Sequence, residues 1–304
     1  MQKYLKTMLF FFVFLFELPR LFSIQGESSY PYMSGYTWAF FCDWRLLDQD
    51  YASPPEGFDP RLVKRGDILF VSFSSLDTFA REYLPLIEDK VILVTSNYGF
   101  DADSAMPGPH AYLLDEDKIA AWFVQNIDRE PTSKLFPIPI GLGSKHWPHG
   151  NTNLLDAWIP IALAKTEKPN LWYLNFRRCP ERVDCVDYFT QIGAHFDVEK
   201  PFQDYLHDLS ETRFVISPPG HGVDCHRTWE ALLMGAYPVV KRSTLDPLFE
   251  DLPVVIIDQW EEVTDEFLLS KQAEFDSKTW SREKLYSPYW FNQVRVIQEQ
   301  LRNQ

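Results

Sequence analysis

No Asn-x-Ser/Thr acceptor occurs in the 304 residues, which disfavours a glycosylated secretory protein. There is no CxxC pair either. The 4 cysteines, Cys42, Cys179, Cys185 and Cys225, are scattered, so they define neither a zinc knuckle nor a disulfide framework, although Cys179 and Cys185 could pair across a loop. Charge of the positive sign is scarce. The net charge is −14 and no basic stripe appears, which argues against nucleic acid as a partner. A small anionic ligand needs only one local arginine cluster and stays open. No internal repeat is present. Apart from residues 8–16, MLFFFVFLF, no stretch is apolar enough to cross a bilayer. That run follows Lys3 and Lys6, has the length of a signal-peptide apolar region, and lacks a clear small-residue cleavage site. Residues 1–24 are therefore expected to be a signal-like or anchoring segment. The protein is expected to be membrane-associated, with the secretory lumen or export as alternatives.

What is present suits a sizeable core: 45% of residues are hydrophobic and 16% aromatic, with 10 Trp and 14 Tyr. Apolar runs at 67–72 and 90–95 read as buried parallel strands, and the Pro-containing run 135–141 as an edge strand. Residues 76–87, 115–126 and 152–164 read as helices. After a charged connector at 165–169 a second alternating series begins. It has strands at 171–176, 214–216, 237–240 and 254–257, helices near 181–192, 202–210 and 263–270, and a weak segment near 195–198. Residues 280–303 read as two helical pieces broken at Ser287-Pro288. Strands alternating with helices predict an α/β protein of two Rossmann-like domains, 25–168 and 169–304.

Residues 213–240, RFVISPPGHGVDCHRTWEALLMGAYPVV, carry the sharpest signal. An apolar strand runs into the Ser217-Pro218-Pro219-Gly220-His221-Gly222 loop. Asp224 is a good N-cap residue for the helix that follows, and Gly235 is placed to end it. This is one strand–loop–helix–strand unit with a polar loop at the carboxyl end of its first strand, where open α/β sheets bind ligands. Arg227 in the first helical turn offers a forked cation that suits phosphate. Glu230, three residues on, shares its face and could accept hydrogen bonds from ribose hydroxyls. Alternatively the two form only a surface ion pair. Neighbouring His221, Asp224, Cys225 and His226 point in different directions, which disfavours a metal site.

The segment PPGHGVDCHRTWEALLMGAYPVV resembles the donor-site segment of exostosin-like glycosyltransferases. The resemblance rests on Pro218-Pro219-Gly220, Arg227, Glu230, Ala231-Leu232, Gly235 and Pro238-Val239, and on LDPLFEDLPVVII at 245–257. It covers roughly 210–260, and departs from the family pattern at His221, Gly222 and Asp224, which leaves the nucleotide and sugar open. It implies a GT-B fold whose two domains face a cleft. It also implies an inverting enzyme that takes a nucleotide-sugar donor and a glycan or glycoconjugate acceptor, with no cofactor and no metal. Arg227 would contact the diphosphate and Glu230 the ribose or nucleoside. Gly220 and Gly222 would let backbone approach the donor beside Ser217. Arg177, at the end of strand 171–176, is a second candidate cation, and Lys241 a third. The general base is expected from the first domain: Asp43, Asp101, Asp103 and His110 lie in predicted loops, and His146 and His149 flank Trp147, which could stack on a sugar or close a gap between domains. Asp101 and Asp103 could instead hold a divalent cation, but they lie several residues past a strand end. Two alternatives remain: a nucleotide-dependent transferase that uses no sugar, and a degenerate domain that binds a glycan or protein partner.

Overall fold

The structure, a computed structural model, describes residues 28–46, 58–96, 107–145, 147–197 and 199–304. It is α/β, with two Rossmann-like parallel-sheet domains that face one another across a cleft. After helix α1 (Gly35–Phe41) come β1 (Trp44–Leu46), β2 (Ile68–Val71), β3 (Val91–Thr95), β4 (Ile119–Gln125) and β5 (Leu135–Ile138). They pair in that order, all parallel. Every residue of β2 and β3 is buried, as continuous Val/Ile/Leu runs require of a strand covered on both faces. The Pro-containing β5 sits at the sheet edge.

One expected helix is a strand. Residues 115–126 form the end of a 3-10 segment, Gly108–Asp115, and then β4. Ala120 and Ala121 and the flanking charges favour a helix locally. The Ala-Trp-Phe-Val run is buried between β3 and β5, and that burial overrides the local preference. Residues 76–86 are helical, but with a wide turn at Phe79–Tyr83 and a 3-10 turn at Leu84–Leu86, where Pro85 withholds an amide.

Helix α2 (Thr152–Ala164), capped by the Asn151 side chain, leads to the second sheet. Its strands β6 (Asn170–Tyr173), β7 (Thr212–Ile216), β8 (Tyr237–Lys241) and β9 (Val255–Ile257) also pair in chain order. Between and after them lie α3 (Val183–Gln191), α4 (Phe202–Ser210), α5 (His226–Leu233) and α6 (Asp265–Asp276). The stretch around 195–198 contributes no strand among the described residues. Neither sheet reverses its strand order, so neither offers a crevice at a reversal within one sheet, and the cavity is lined from both domains.

The C-terminal stretch forms two helical pieces as expected, a 3-10 turn at Glu283–Leu285 and helix α7 (Ser287–Arg302), and Ser287-Pro288 opens the second, because a proline in the first turn gives up an amide that has no helical partner anyway. The helix crosses back onto the first domain. Phe291 stacks on Phe41 at 3.8 Å and meets Trp38 edge-on. Gln298, almost fully buried, donates to the Gly66 carbonyl at 2.8 Å and to Asp43 at 3.1 Å, and Arg302 pairs with Asp67. One apolar cluster consequently spans both halves, from Trp38, Phe70 and Trp122 to Trp229, Leu232 and Trp290. A second cluster, including Phe189, Phe214, Val239 and Trp260, packs within the second domain.

Among the described residues no helix is long and apolar enough to cross a membrane, which overturns the expected membrane association. The apolar run 8–16 on which it rested lies outside the described residues.

Replacing Gln298 by Leu strands the Gly66 carbonyl in the α7 interface, so the variant should lose about 1–3 kcal/mol of stability. A lower urea midpoint at unchanged m-value checks this, and an unchanged midpoint contradicts it.

Candidate functional site

The strand–loop–helix unit at 213–240 is held at both ends. Ser217 continues the β7 ladder by donating its amide to the Val239 carbonyl. At the far end of α5, Lys168 donates to the carbonyls of Met234 and Gly235, and Arg282 to those of Leu232 and Leu233. Two cations thus satisfy the carbonyls that a helix leaves open at its C-terminus. Burial pushes the Lys168 amine down to about 8.

The N-cap of α5 is Cys225 and not Asp224, and it makes no side-chain bond to the first-turn amides. Asp224 turns inward. Its carboxylate accepts from the Ile140 amide of the first domain at 2.8 Å, from the Cys225 amide and from the Trp229 indole. Its own amide donates to Asn126 Oδ1 at the end of β4. Beside it the His226 imidazole bonds the Gly141 carbonyl at 2.8 Å. Burial raises the Asp224 carboxyl to about 6 against the pull of its hydrogen bonds, and lowers His226 to about 4. A local cap has become a clasp between domains.

The clasp borders a cavity of about 1340 Å³. Small-molecule sites usually measure roughly 300–1,000 Å³, so this one has room for two substrates. Arg182 and Arg227 are among the charged residues on its wall. Arg227 donates to the Asn175 carbonyl at 2.9 Å and reaches Ser217 Oγ at 3.4 Å. Arg182 donates to the carbonyls of Pro219 and Arg177 at 2.8 and 2.7 Å. Both guanidinium groups lie over the ring of Phe176, at 5.4 Å for Arg182 and 5.1 Å for Arg227. Neutral acceptors hold them, and among the described residues neither has a carboxylate within ion-pair distance. Two like charges approach one ring without an ion-paired carboxylate, and a bound anion would relieve the repulsion.

Arg177, Gly220, Gly222, Arg227 and Glu230 all line this cavity. Ser217 does not. It stands behind Arg227, bonded to Thr228 Oγ1 at 2.9 Å. Glu230 makes no ion pair with Arg227. It is 5% exposed and accepts from the Tyr205 hydroxyl at 2.9 Å. Burial lifts its carboxyl to about 7, and the Tyr205 bond and the Arg227 charge offset this only in part. The glycines serve the protein's own packing: a Cβ on Gly220 would lie 2.6 Å from the Arg182 guanidinium, and one on Gly222 2.2 Å from Asn126 Nδ2. Lys241 is paired with Asp184 and is not on the wall.

Of the candidates for proton acceptor, Asp43 and His110 fall elsewhere. Asp43 accepts from the Ile68 amide and from Gln298, and so anchors α7. His110 is buried with Nε2 2.9 Å from Asp77, and neither residue lines the cavity. Asp101, Asp103 and His146 lie outside the described residues. No group of three or more metal-ligating side chains occurs among the described residues. Trp147 and His149 do line the cavity. Sequence reasoning missed Arg182, Tyr205 and Asn126. For Arg182 a signal existed: it is the third arginine after β6, with Arg177 and Arg178, at the carboxyl end of a strand.

No protein-family model and no curated protein sequence matches the chain, so membership of the exostosin-like family is not shown. Over 80% of its length the chain is similar to a chain in a crystal structure of a GtfA/B complex, at 12% identity and a TM-score of 0.36, and it spans 58% of that chain. A likeness that remote decides nothing about the chemistry of this cavity.

Because the folded-state carboxyl of Glu230 titrates at about 7 and not at its ordinary 4.5, the native protein holds that proton more tightly than the unfolded chain. The associated stability is complete below pH 4.5 and is lost as pH rises through 7. Glu230→Gln, which cannot titrate, should gain on the wild type across that window by up to about 3 kcal/mol. Urea unfolding of both proteins at pH 5 and pH 8 measures the gain. A difference that does not move with pH contradicts the assignment.

Proposed function

We propose that the protein is a glycosyltransferase that moves a sugar from a nucleoside diphosphate donor to a hydroxyl acceptor across the interdomain cavity. The observation that carries this reading is the pair of guanidinium groups, Arg182 and Arg227, that lie over one aromatic ring on the cavity wall with no carboxylate at ion-pair distance among the described residues. The first-turn amides of α5 receive no side-chain cap, so they too are disposed toward an anion. A diphosphate is the ligand that matches two forked cations beside a helix N-terminus, because each phosphate can take a paired contact. The same charge that binds the donor stabilises the leaving diphosphate as the glycosidic bond breaks. The proposed chemistry therefore draws its electrostatic stabilisation from arginine and needs no divalent cation. Arg177, exposed at the rim, adds a third positive charge, and its backbone carbonyl fixes Arg182.

Glu230 and Tyr205 form the floor next to Arg227. Once ionised, Glu230 can accept from ribose hydroxyls, the role the resemblance implies for it. The two-domain GT-B arrangement fits the reading, since donor and acceptor then approach from opposite domains. Inversion at the anomeric carbon follows if the acceptor attacks from the face away from the diphosphate.

The test is thermal stabilisation by UDP, GDP, ADP and dTDP and by their sugar conjugates. At least one should raise the melting temperature of the wild type. Arg182→Ala and Arg227→Ala should each weaken that ligand by about 10–100-fold, the value of a hydrogen bond to a charged group. No shift with any of the panel, or a shift the two variants leave untouched, contradicts the reading.

A further inference from the structure

The donor reading uses the diphosphate and the ribose and leaves the base unread. Two opposite charges on the same cavity wall are uncommitted. Of the wall's carboxylates, Asp197 is ion-paired with Lys200, Asp224 is held in the clasp, and Glu230 is buried and bonded by Tyr205. Glu199 differs. It is exposed, and its carboxylate makes no ion pair or hydrogen bond among the described residues. Arg178 is its counterpart. It is exposed on the same wall and lies over the ring of Phe196 at 5.0 Å, with no carboxylate at ion-pair distance among the described residues. A cation–π contact steadies a guanidinium without neutralising it.

Both charges stand one ring away from the groups assigned to the donor. On the phosphate side, Phe176, the ring under Arg182 and Arg227, meets Phe196 edge-on with centroids 5.8 Å apart. On the ribose side, Tyr205, which donates to Glu230, stacks on Phe202 at 6.1 Å. Glu199 lies between Phe196 and Phe202 in the chain, and all three line the cavity. The neighbouring residues are fixed. The Asp197 amide donates to the Leu174 carbonyl, just past β6, at 2.9 Å, and Lys200 pairs with both Asp197 and Asp208.

We propose that this part of the wall reads a guanine, so that the donor is a guanosine diphosphate sugar. The Glu199 carboxylate accepts from N1–H and the 2-amino group, and the Arg178 guanidinium donates to O6 and N7. The inference rests on the donor reading and adds the nucleotide to it.

The choice of base follows from the patterns of donors and acceptors. Guanine is the common base that sets two N–H groups side by side on one edge, with the acceptors O6 and N7 on the adjoining edge. A carboxylate matches the paired donors and a guanidinium the paired acceptors, both through charge-assisted bonds. Uracil flanks its single N–H with two carbonyl oxygens, which a carboxylate repels. Adenine and cytosine set their amino group beside a ring nitrogen lone pair, which a carboxylate repels as well. Two free charges of opposite sign at one end of the donor site therefore select guanine against the other three.

Calorimetric titration of the full chain with GDP, IDP, ADP, UDP and CDP tests this. IDP keeps O6, N7 and N1–H and lacks only the 2-amino group. GDP should bind about 10–100-fold more tightly than each of the others, the value of a hydrogen bond to a charged group. Glu199→Gln should weaken GDP by a similar factor, narrow the gap between GDP and IDP, and leave UDP unchanged. Arg178→Met should weaken GDP and IDP alike, keep the gap between them, and leave UDP unchanged. UDP or ADP binding as tightly as GDP, a GDP-to-IDP gap undiminished in Glu199→Gln, or equal losses of UDP and GDP in Arg178→Met overturns the inference and leaves the donor site standing. Binding of none of the five diphosphates overturns the donor reading, and this inference with it.

Discussion

The buried carboxylate of Asp224 keeps the two halves of the cavity in register. It belongs to the second domain, yet it accepts from the Ile140 amide of the first, and its own amide is held by Asn126. A buried acid without partners would be costly. Three donors converge on this one, and the remaining desolvation shows as a carboxyl that titrates near 6. The hydrogen bond of His226 to Gly141 runs alongside, as does that of Thr244 to the Ile127 carbonyl. These contacts fix the loop that carries Gly220 and Gly222 against β4 and β5. The cavity is thus defined by polar bonds at its rim and by a continuous apolar cluster beneath it.

On that frame the arginines are set under electrostatic tension. Arg182 and Arg227 are oriented by backbone carbonyls and by the face of Phe176, none of which neutralises them. Stability alone would be served by a carboxylate at this point. The cations along Lys200, Lys241 and Arg242, by contrast, all have acidic partners. Guanidinium groups already fixed in this way would need little rearrangement to meet an anion.

The sequence made the second domain's side of the cavity legible because its signals are local. A Pro-Pro-Gly loop after an apolar strand, and a helical period that ends at Gly235, need no knowledge of the rest of the chain. Arg227, Glu230 and Arg177 could be placed on that ground, and Trp147 and His149 drew notice as loop residues. What stayed hidden depends on contacts distant in sequence. Asp224 has the side chain of a cap but bonds Ile140, which lies far upstream. Residues 115–126 have the composition of a helix, but Ile119–Gln125 form β4 between two strands. Asp43 sits in a loop as a base should, yet its partners are the Ile68 amide and Gln298 of the last helix. Arg182 fell within an expected helix, and only the fold shows it turned back over Phe176. Glycines 220 and 222 suggested room for a ligand and do line the cavity, but only the fold shows that their missing side chains also make room for Arg182 and Asn126.

The central claim is that the two guanidinium groups bind a diphosphate, and calorimetric titration of UDP and GDP against uridine and guanosine tests it most directly. If Arg182 and Arg227 hold the phosphates, one diphosphate should bind at least about 100-fold more tightly than its own nucleoside, with the gap narrowing as salt is raised. Equal affinity for nucleoside and diphosphate, or a gap indifferent to salt, would contradict the account.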